Sequence, residues 1–125
     1  MLVIDAANVI GSRPTGWWRD RPGAARTFTQ RVRATVAAGH LEPPVTIVLE
    51  GQAKRGAEEG VVDGVEVVHA PGDGDDTIAT IAIAAGAQQR KVVVVTADRG
   101  LAQRVRDADG EVVGPTWLLD RLLEA

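Results

Sequence analysis

Cysteine is absent from the 125 residues, which excludes disulfides, thiolate metal sites and cysteine nucleophiles together. No apolar run approaches the ~20 residues of a membrane span. Met1 leads straight into Leu2-Val3-Ile4 without the basic start and apolar stretch of a signal peptide, so the expected address is cytoplasmic. Histidine is scarce: His40 falls in a loop and His69 ends an apolar run, which argues against zinc. Glycines are missing where a nucleotide-binding Rossmann domain needs them, because Asp5-Ala6-Ala7-Asn8 follows the first apolar run. Gly72-Asp73-Gly74 is too short and too acidic to cradle phosphates. Linkers, internal repeats and low-complexity stretches are also lacking, and one domain over residues 1–125 is expected.

What is present is an ordinary globular balance, 45% apolar and 25% charged residues, enough for a core that needs no covalent staples. The net charge of −3 argues against a general nucleic-acid coat, but its distribution is polarised. Between Gly11 and Arg33 lie six arginines (Arg13, Arg19, Arg21, Arg26, Arg31, Arg33) and a single acid, Asp20, a local balance of +5 that leaves −8 for the remainder. Twelve of the 14 basic residues are arginine, the side chain suited to planar phosphate contacts.

Five short β-branched runs lack polar alternation, the pattern of strands covered on both faces: Leu2–Ile4, Val45–Leu49, Val65–Val68, Val92–Val95 and Glu111–Val113. Helices are expected between them. Ala24–Ala38 places Phe28, Val32 and Val36 at steps of four and stops at Gly39. Asp76–Gln89 sets Ile78, Ile81, Ala82 and Ala85 on one face behind aspartates that suit a helix start. Leu101–Ala108 is a short helix, and Thr116 is expected to cap a last one that turns Trp117, Leu118 or Leu119, and Leu122 inward. The pattern predicts a three-layer α/β domain. Gly11–Gly23, with two prolines and Trp17-Trp18, reads as an irregular arm, and the Gly-rich stretch around Lys54-Arg55 and Glu58-Glu59 as a solvated, mobile connection.

Three apolar runs end in a carboxylate, at Asp5, Glu50 and Asp98, and a fourth leads into Asp73-Gly74-Asp75-Asp76. Parallel strands bring such ends to one edge of a sheet, where α/β proteins bind their ligands. Crowded carboxylates repel unless a positive charge compensates, and Mg²⁺ or Mn²⁺ suits an all-oxygen donor set. Each acid read singly is also an ordinary turn or cap former, Asp73-Gly74 as a turn and Asp75 or Asp76 as a cap.

These residues resemble a family. Val3-Ile4-Asp5-Ala6-Ala7-Asn8-Val9-Ile10 looks like the opening of NYN domains of the PIN-like nuclease superfamily. Asp75-Asp76-Thr77-Ile78 is similar to the paired acids that begin their central helix, and Val94-Val95-Thr96-Ala97-Asp98-Arg99-Gly100-Leu101 to their later strand-Thr-Asp motif. The resemblance implies a five-stranded, mostly parallel sheet of order 3-2-1-4-5 and an Mg²⁺- or Mn²⁺-dependent ribonuclease. It matches Asp5, Asp76 and Asp98 to the metal-binding acids, with Asp75 as a neighbour that shares the task and Glu50 as an outer acid that departs from the usual residue. Asn8 matches an amide that orients the site or touches substrate phosphate, and Thr96 a hydroxyl that braces the acidic strand end. Relatives also use an acid on an early helix; none lies between Asp20 and Glu42, so one or two ions both remain open.

On this reading an activated water attacks the scissile phosphorus of RNA. Arg99 and the cation stabilise the developing charge, Arg13, Arg19 and Arg21 hold flanking phosphates, and Trp17 or Trp18 stacks on an unpaired base. Single-stranded or loop RNA is the expected partner, and the Ala- and Leu-rich outer helices are compatible with a homodimer. Blander roles exist for each group: Trp17-Trp18 pinning the arm, Arg26, Arg31 and Arg33 on a solvated helix face, Arg99 neutralising neighbouring aspartates. A haloacid-dehalogenase-type enzyme is excluded because Ala7 stands where its second acid belongs. The remaining alternative is a non-catalytic RNA-binding or protein-docking module on the same scaffold.

Overall fold

The structure, a computed structural model, describes residues 1–124. Strand β1 (Leu2–Asp5) sits at the centre of the sheet, parallel to β2 (Val45–Leu49) on one side and β5 (Val93–Val95) on the other. β4 (Val65–His69) pairs parallel with β2, and β6 (Glu111–Val113) with β5. The five expected strands therefore stand in the expected order. A sixth, β3 (Gly60–Val62), adds antiparallel to the β4 edge, giving β3-β4-β2-β1-β5-β6. β3 was not expected because it is exposed, three residues long and glycine-led, with no buried face to mark it.

Alternate residues of each strand feed two cores, which is why the strands read as unbroken apolar runs. Leu2, Ile4, Ile47 and Leu49 pack with Val9 of α1 (Ala6–Gly11), with Phe28 and Val32 of α2 (Arg21–Ala37), and with Leu118 of α5 (Pro115–Leu119). Val3, Val48 and Val94 pack on the opposite face with Ile78 and Ala82 of α3 (Gly74–Ala87) and with Leu101 and Val105 of α4 (Arg99–Asp107). Asp5 alternates with Ile4 and so shares the face of Val3, toward α3 and α4.

Several local expectations are corrected. α1 follows β1 without a loop, where no helix was expected; Asp5 caps it by accepting from Asn8 N. The last helix begins at Pro115 with Gly114 as its cap, not Thr116. Around Gly51–Gly56 the chain forms a tight 3₁₀ stretch, with Gly56 buried where a β-carbon would strike the Pro22 carbonyl of α2. Lys54 Nζ donates to Ala70 O at 3.1 Å and His69 N to Glu59 Oε2 at 2.8 Å. These ties pin the segment expected to be a mobile connection, although Arg55, Glu58 and Glu59 are solvent-exposed.

Candidate active site

The chain winds from β1 to β2 and β4 in one direction and returns to β5 and β6 in the other, so the carboxyl ends of β1 and β5 flank a topological switch point. The β1–β5 register, Ile4 beside Val95, brings Asp5 next to Thr96. Thr96 Oγ1 donates to Asp5 Oδ2 at 2.9 Å and accepts from Asp98 N at 3.1 Å. Asn8 Oδ1 accepts from Ala97 N at 2.7 Å, and Asp5 Oδ1 from Asn8 N at 3.3 Å. Two side chains, Thr96 and Asn8, thereby tie the end of β1 to the β5–α4 turn. Neither amide nor hydroxyl is free of the backbone here: both are engaged in holding this junction. Asp5 is only 3% exposed and Thr96 2%.

Asp98 caps α4 through Oδ1, which accepts from Leu101 N at 2.9 Å. Asp73 caps α3 by accepting from Asp75 N at 2.9 Å, the part expected of Asp75 or Asp76. Glu50, half-buried past the end of β2, lays its carboxylate against Gly74, where a β-carbon would stand 2.8 Å from Oε1. Gly74 thus lets the start of α3 approach the acid.

The charges register this crowding. Burial holds the Asp5 carboxyl above its ordinary range, an effect that its hydrogen bonds to Thr96 and Asn8 oppose and the charges of Glu50 and Asp98 reinforce. Asp75 is pushed up to about 6 by burial, then by the charges of Asp98, Asp73, Asp5 and Glu50. Among the described residues no lysine or arginine forms an ion pair with any of these five acids; the ion pairs join Lys91 to Glu111 and Arg104 to Asp76.

Asp76 is therefore not brought to the cluster. Its carboxylate accepts from Arg104 Nη1 at 2.9 Å on the outer face between α3 and α4, and Asp75 takes the place expected of it. Helical phase explains the exchange: Asp75 lies one turn before the buried Ile78 and Ala79, whereas Asp76 lies one turn before the exposed Thr80. Among the described residues no three acids or histidines stand close enough together to form a ready-made metal cage. The donor set is nonetheless hard oxygen throughout, lacks a protein cation, and suits Mg²⁺, which is commonly held by one or two carboxylates with water completing its shell.

Arg99, the first residue of α4, is exposed beside Asp98. The arm turns elsewhere. Trp17 and Trp18 meet edge to face with centroids 5.9 Å apart; Arg21 lies over Trp17 at 5.3 Å and Arg19 over Trp18 at 5.8 Å. Arg13 instead lines a cleft between α1 and α2, together with Arg26 and Arg31. Arg26 is exposed, as expected of it, although it borders the cleft; Arg31 and Arg33, expected on the same solvated face, are half-buried, Arg33 with its Nε enclosed. Nothing in the sequence marks Arg26 and Arg31 as cleft residues, because the cleft depends on where the arm folds back.

No protein-family model matches the chain, and no curated protein matches it. Among solved structures, Rae1 (YacP) from Bacillus subtilis superposes with a TM-score of 0.68 over 95% of this chain and 71% of its own, at 17% identity. At that identity the likeness concerns architecture. What the two share is a mostly parallel central sheet between two helical layers, the architecture that the motif resemblance implies.

Proposed function

We propose that this chain is a metal-dependent ribonuclease that hydrolyses RNA phosphodiester bonds at the carboxyl edge of β1 and β5. The observation that carries the reading is the set of mutually repelling carboxylates, Asp5, Asp75, Asp98 and Glu50, with no protein cation among them. A phosphate-binding or docking module gains nothing from such repulsion, whereas a divalent cation relieves it.

Asp5, Asp75 and Asp98 would hold Mg²⁺ or Mn²⁺, with Glu50 reaching it through water. Bound there, the cation supplies charge neutralisation at the phosphate and a water of lowered pKa. Thr96 and Asn8 keep Asp5 and the β5–α4 turn at fixed separation, so the acids need no reorganisation as the reaction proceeds. Arg99, at the rim, meets charge developing on the non-bridging phosphate oxygens. Burial of Asp5 keeps bulk water from the back of the site.

Labelled single-stranded RNA incubated with Mn²⁺, with Mg²⁺ and with EDTA tests the reading. Cleavage should require the cation and disappear in Asp5→Asn, which preserves the shape of the side chain and one of its two accepting oxygens. Cleavage that survives EDTA, or full activity in Asp5→Asn, overturns it.

A further inference from the structure

The α1–α2 cleft has no part in the chemistry above. It encloses about 570 Å³, within the range of small-ligand pockets. Its apolar walls come from Ile10 of α1, Trp17 of the arm and Leu119 of α5; Arg13, Arg26 and Arg31 bring three positive charges. The lone acid there, Asp20, is engaged as the cap of α2 and accepts from Gly23 N at 2.9 Å. Arg31 spends its Nε on Leu123 O at 3.1 Å, which anchors the guanidinium, and among the described residues its terminal nitrogens make no hydrogen bond. Arg21 does not line the cleft but sits over the Trp17 ring, so that ring is held in place before any ligand arrives.

We propose that this cleft receives one nucleotide of a single-stranded RNA, its base against Trp17 and its phosphate on Arg13, Arg26 and Arg31. An aromatic wall beside clustered guanidinium groups is the chemistry that recognises an unstacked base and its backbone. Asp5 caps α1 and Ile10 lies near its end, so one wall of the cleft stands on the helix that starts at Asp5, with Ile10 roughly 8 Å along its axis. A strand that passes over the carboxyl edge of the sheet and on along α1 would bring a neighbouring nucleotide to the cleft. The assignment rests on the ribonuclease reading for the identity of the strand, though not on catalysis. It also revises which arginines grip RNA: Arg26 and Arg31 join Arg13, while Arg19 and Arg21 serve to hold the tryptophans.

The test measures binding of a short fluorescein-labelled oligouridylate to the full chain in EDTA by anisotropy, with a single abasic position moved along the strand. Wild-type protein should lose about tenfold in affinity when the abasic site falls at one position and little at the others. Ala24→Phe, which fills the cleft from α2, should erase that positional penalty. Arg26→Ala changes an exposed side chain and should weaken every oligomer while lowering the salt slope by about one. A penalty spread evenly along the strand, or one that persists in Ala24→Phe, overturns the proposal. So does an unchanged salt slope in Arg26→Ala, which keeps the test decisive should Ala24→Phe fail to fold. Absence of RNA binding by the wild-type chain overturns it too and leaves the cleft to a peptide. Positional binding without cation-dependent cleavage defeats the ribonuclease reading alone; cleavage without a positional penalty defeats this one alone.

Discussion

Raising the pH of the metal-free protein should weaken it, and divalent cation should restore what is lost. Asp75 titrates near 6 in the folded chain against 3.8 as a free side chain, so the folded state holds its proton more tightly than the unfolded state does. The stability that follows is fully present below about pH 4 and is lost as pH rises through 6. Two units correspond to about 3 kcal/mol, and solvent screening at this half-buried group reduces that to about 1–2 kcal/mol. Asp5, whose carboxyl is also raised, acts in the same direction. For a chain of this size the loss should appear as a fall of roughly 3–10 °C in Tm between pH 4 and 7. Millimolar Mg²⁺ or Mn²⁺ binds the ionised cluster, so its stabilisation should be negligible at pH 4 and grow to several degrees at pH 7. Thermal melts followed by circular dichroism, across pH and with or without cation, measure both effects. Asp75→Asn supplies the internal control: the metal-free variant should be more stable than wild type at pH 7 and respond less to the ion. A cation response equal at pH 4 and 7, or Asp75→Asn less stable than wild type at pH 7, refutes the electrostatic account.

Thr96→Val should cost about 1–3 kcal/mol, because it strips a hydrogen bond from the buried Asp5 carboxylate and orphans Asp98 N; denaturant titration should show a larger loss at pH 8 than at pH 5. Asp75→Asn should reduce cation-dependent RNA cleavage about tenfold or more, whereas Asp76→Asn should change it less than about threefold and cost at most ~1 kcal/mol for its exposed Arg104 pair, with equal losses refuting the assignment. Gly56→Ala should destabilise the fold by about 1–3 kcal/mol in a urea titration, since the added methyl meets rigid backbone at Pro22.

The parallel core was legible because burial on both faces leaves an unmistakable mark: runs such as Val45–Leu49 contain no polar alternation to misread. Their order followed from the motif resemblance, not from the runs themselves. The same logic concealed β3, whose residues are all exposed, and α1, whose six residues span less than two turns and carry no stripe. That Asp5 and Asp98 share one edge of the sheet was readable from strand ends alone. The choice between Asp75 and Asp76 was present in the sequence too, in the phase of Ile78, Ala82 and Ala85, since only Asp75 continues that stripe. Adjacency to the family motif favoured Asp76, and helical geometry reverses it. The cleft is different in kind. It arises where the arm folds back over α1 and α2, a tertiary event for which Gly11–Gly23 carries no periodic signal.

The placement of arginine gives the two regions a common logic. The chain has twelve arginines, and one of them paired with Asp75 would relieve the cluster; instead Arg104 reaches the neighbouring, exposed Asp76. A guanidinium at the carboxyl edge of β1 would fill the space a cation needs and repel it. Conversely, the stretch from Gly11 to Arg33 carries six arginines and one acid, and that acid is turned to capping a helix. One surface is short of positive charge and the other of negative, and among the described residues neither is balanced by an ion pair. A phosphodiester strand accompanied by a divalent ion supplies both deficits at once, the ion to the acids and the phosphates to the arginines. On the proposed function, these two surfaces, unbalanced in opposite senses and joined by a helix of six residues, serve as halves of a single binding track.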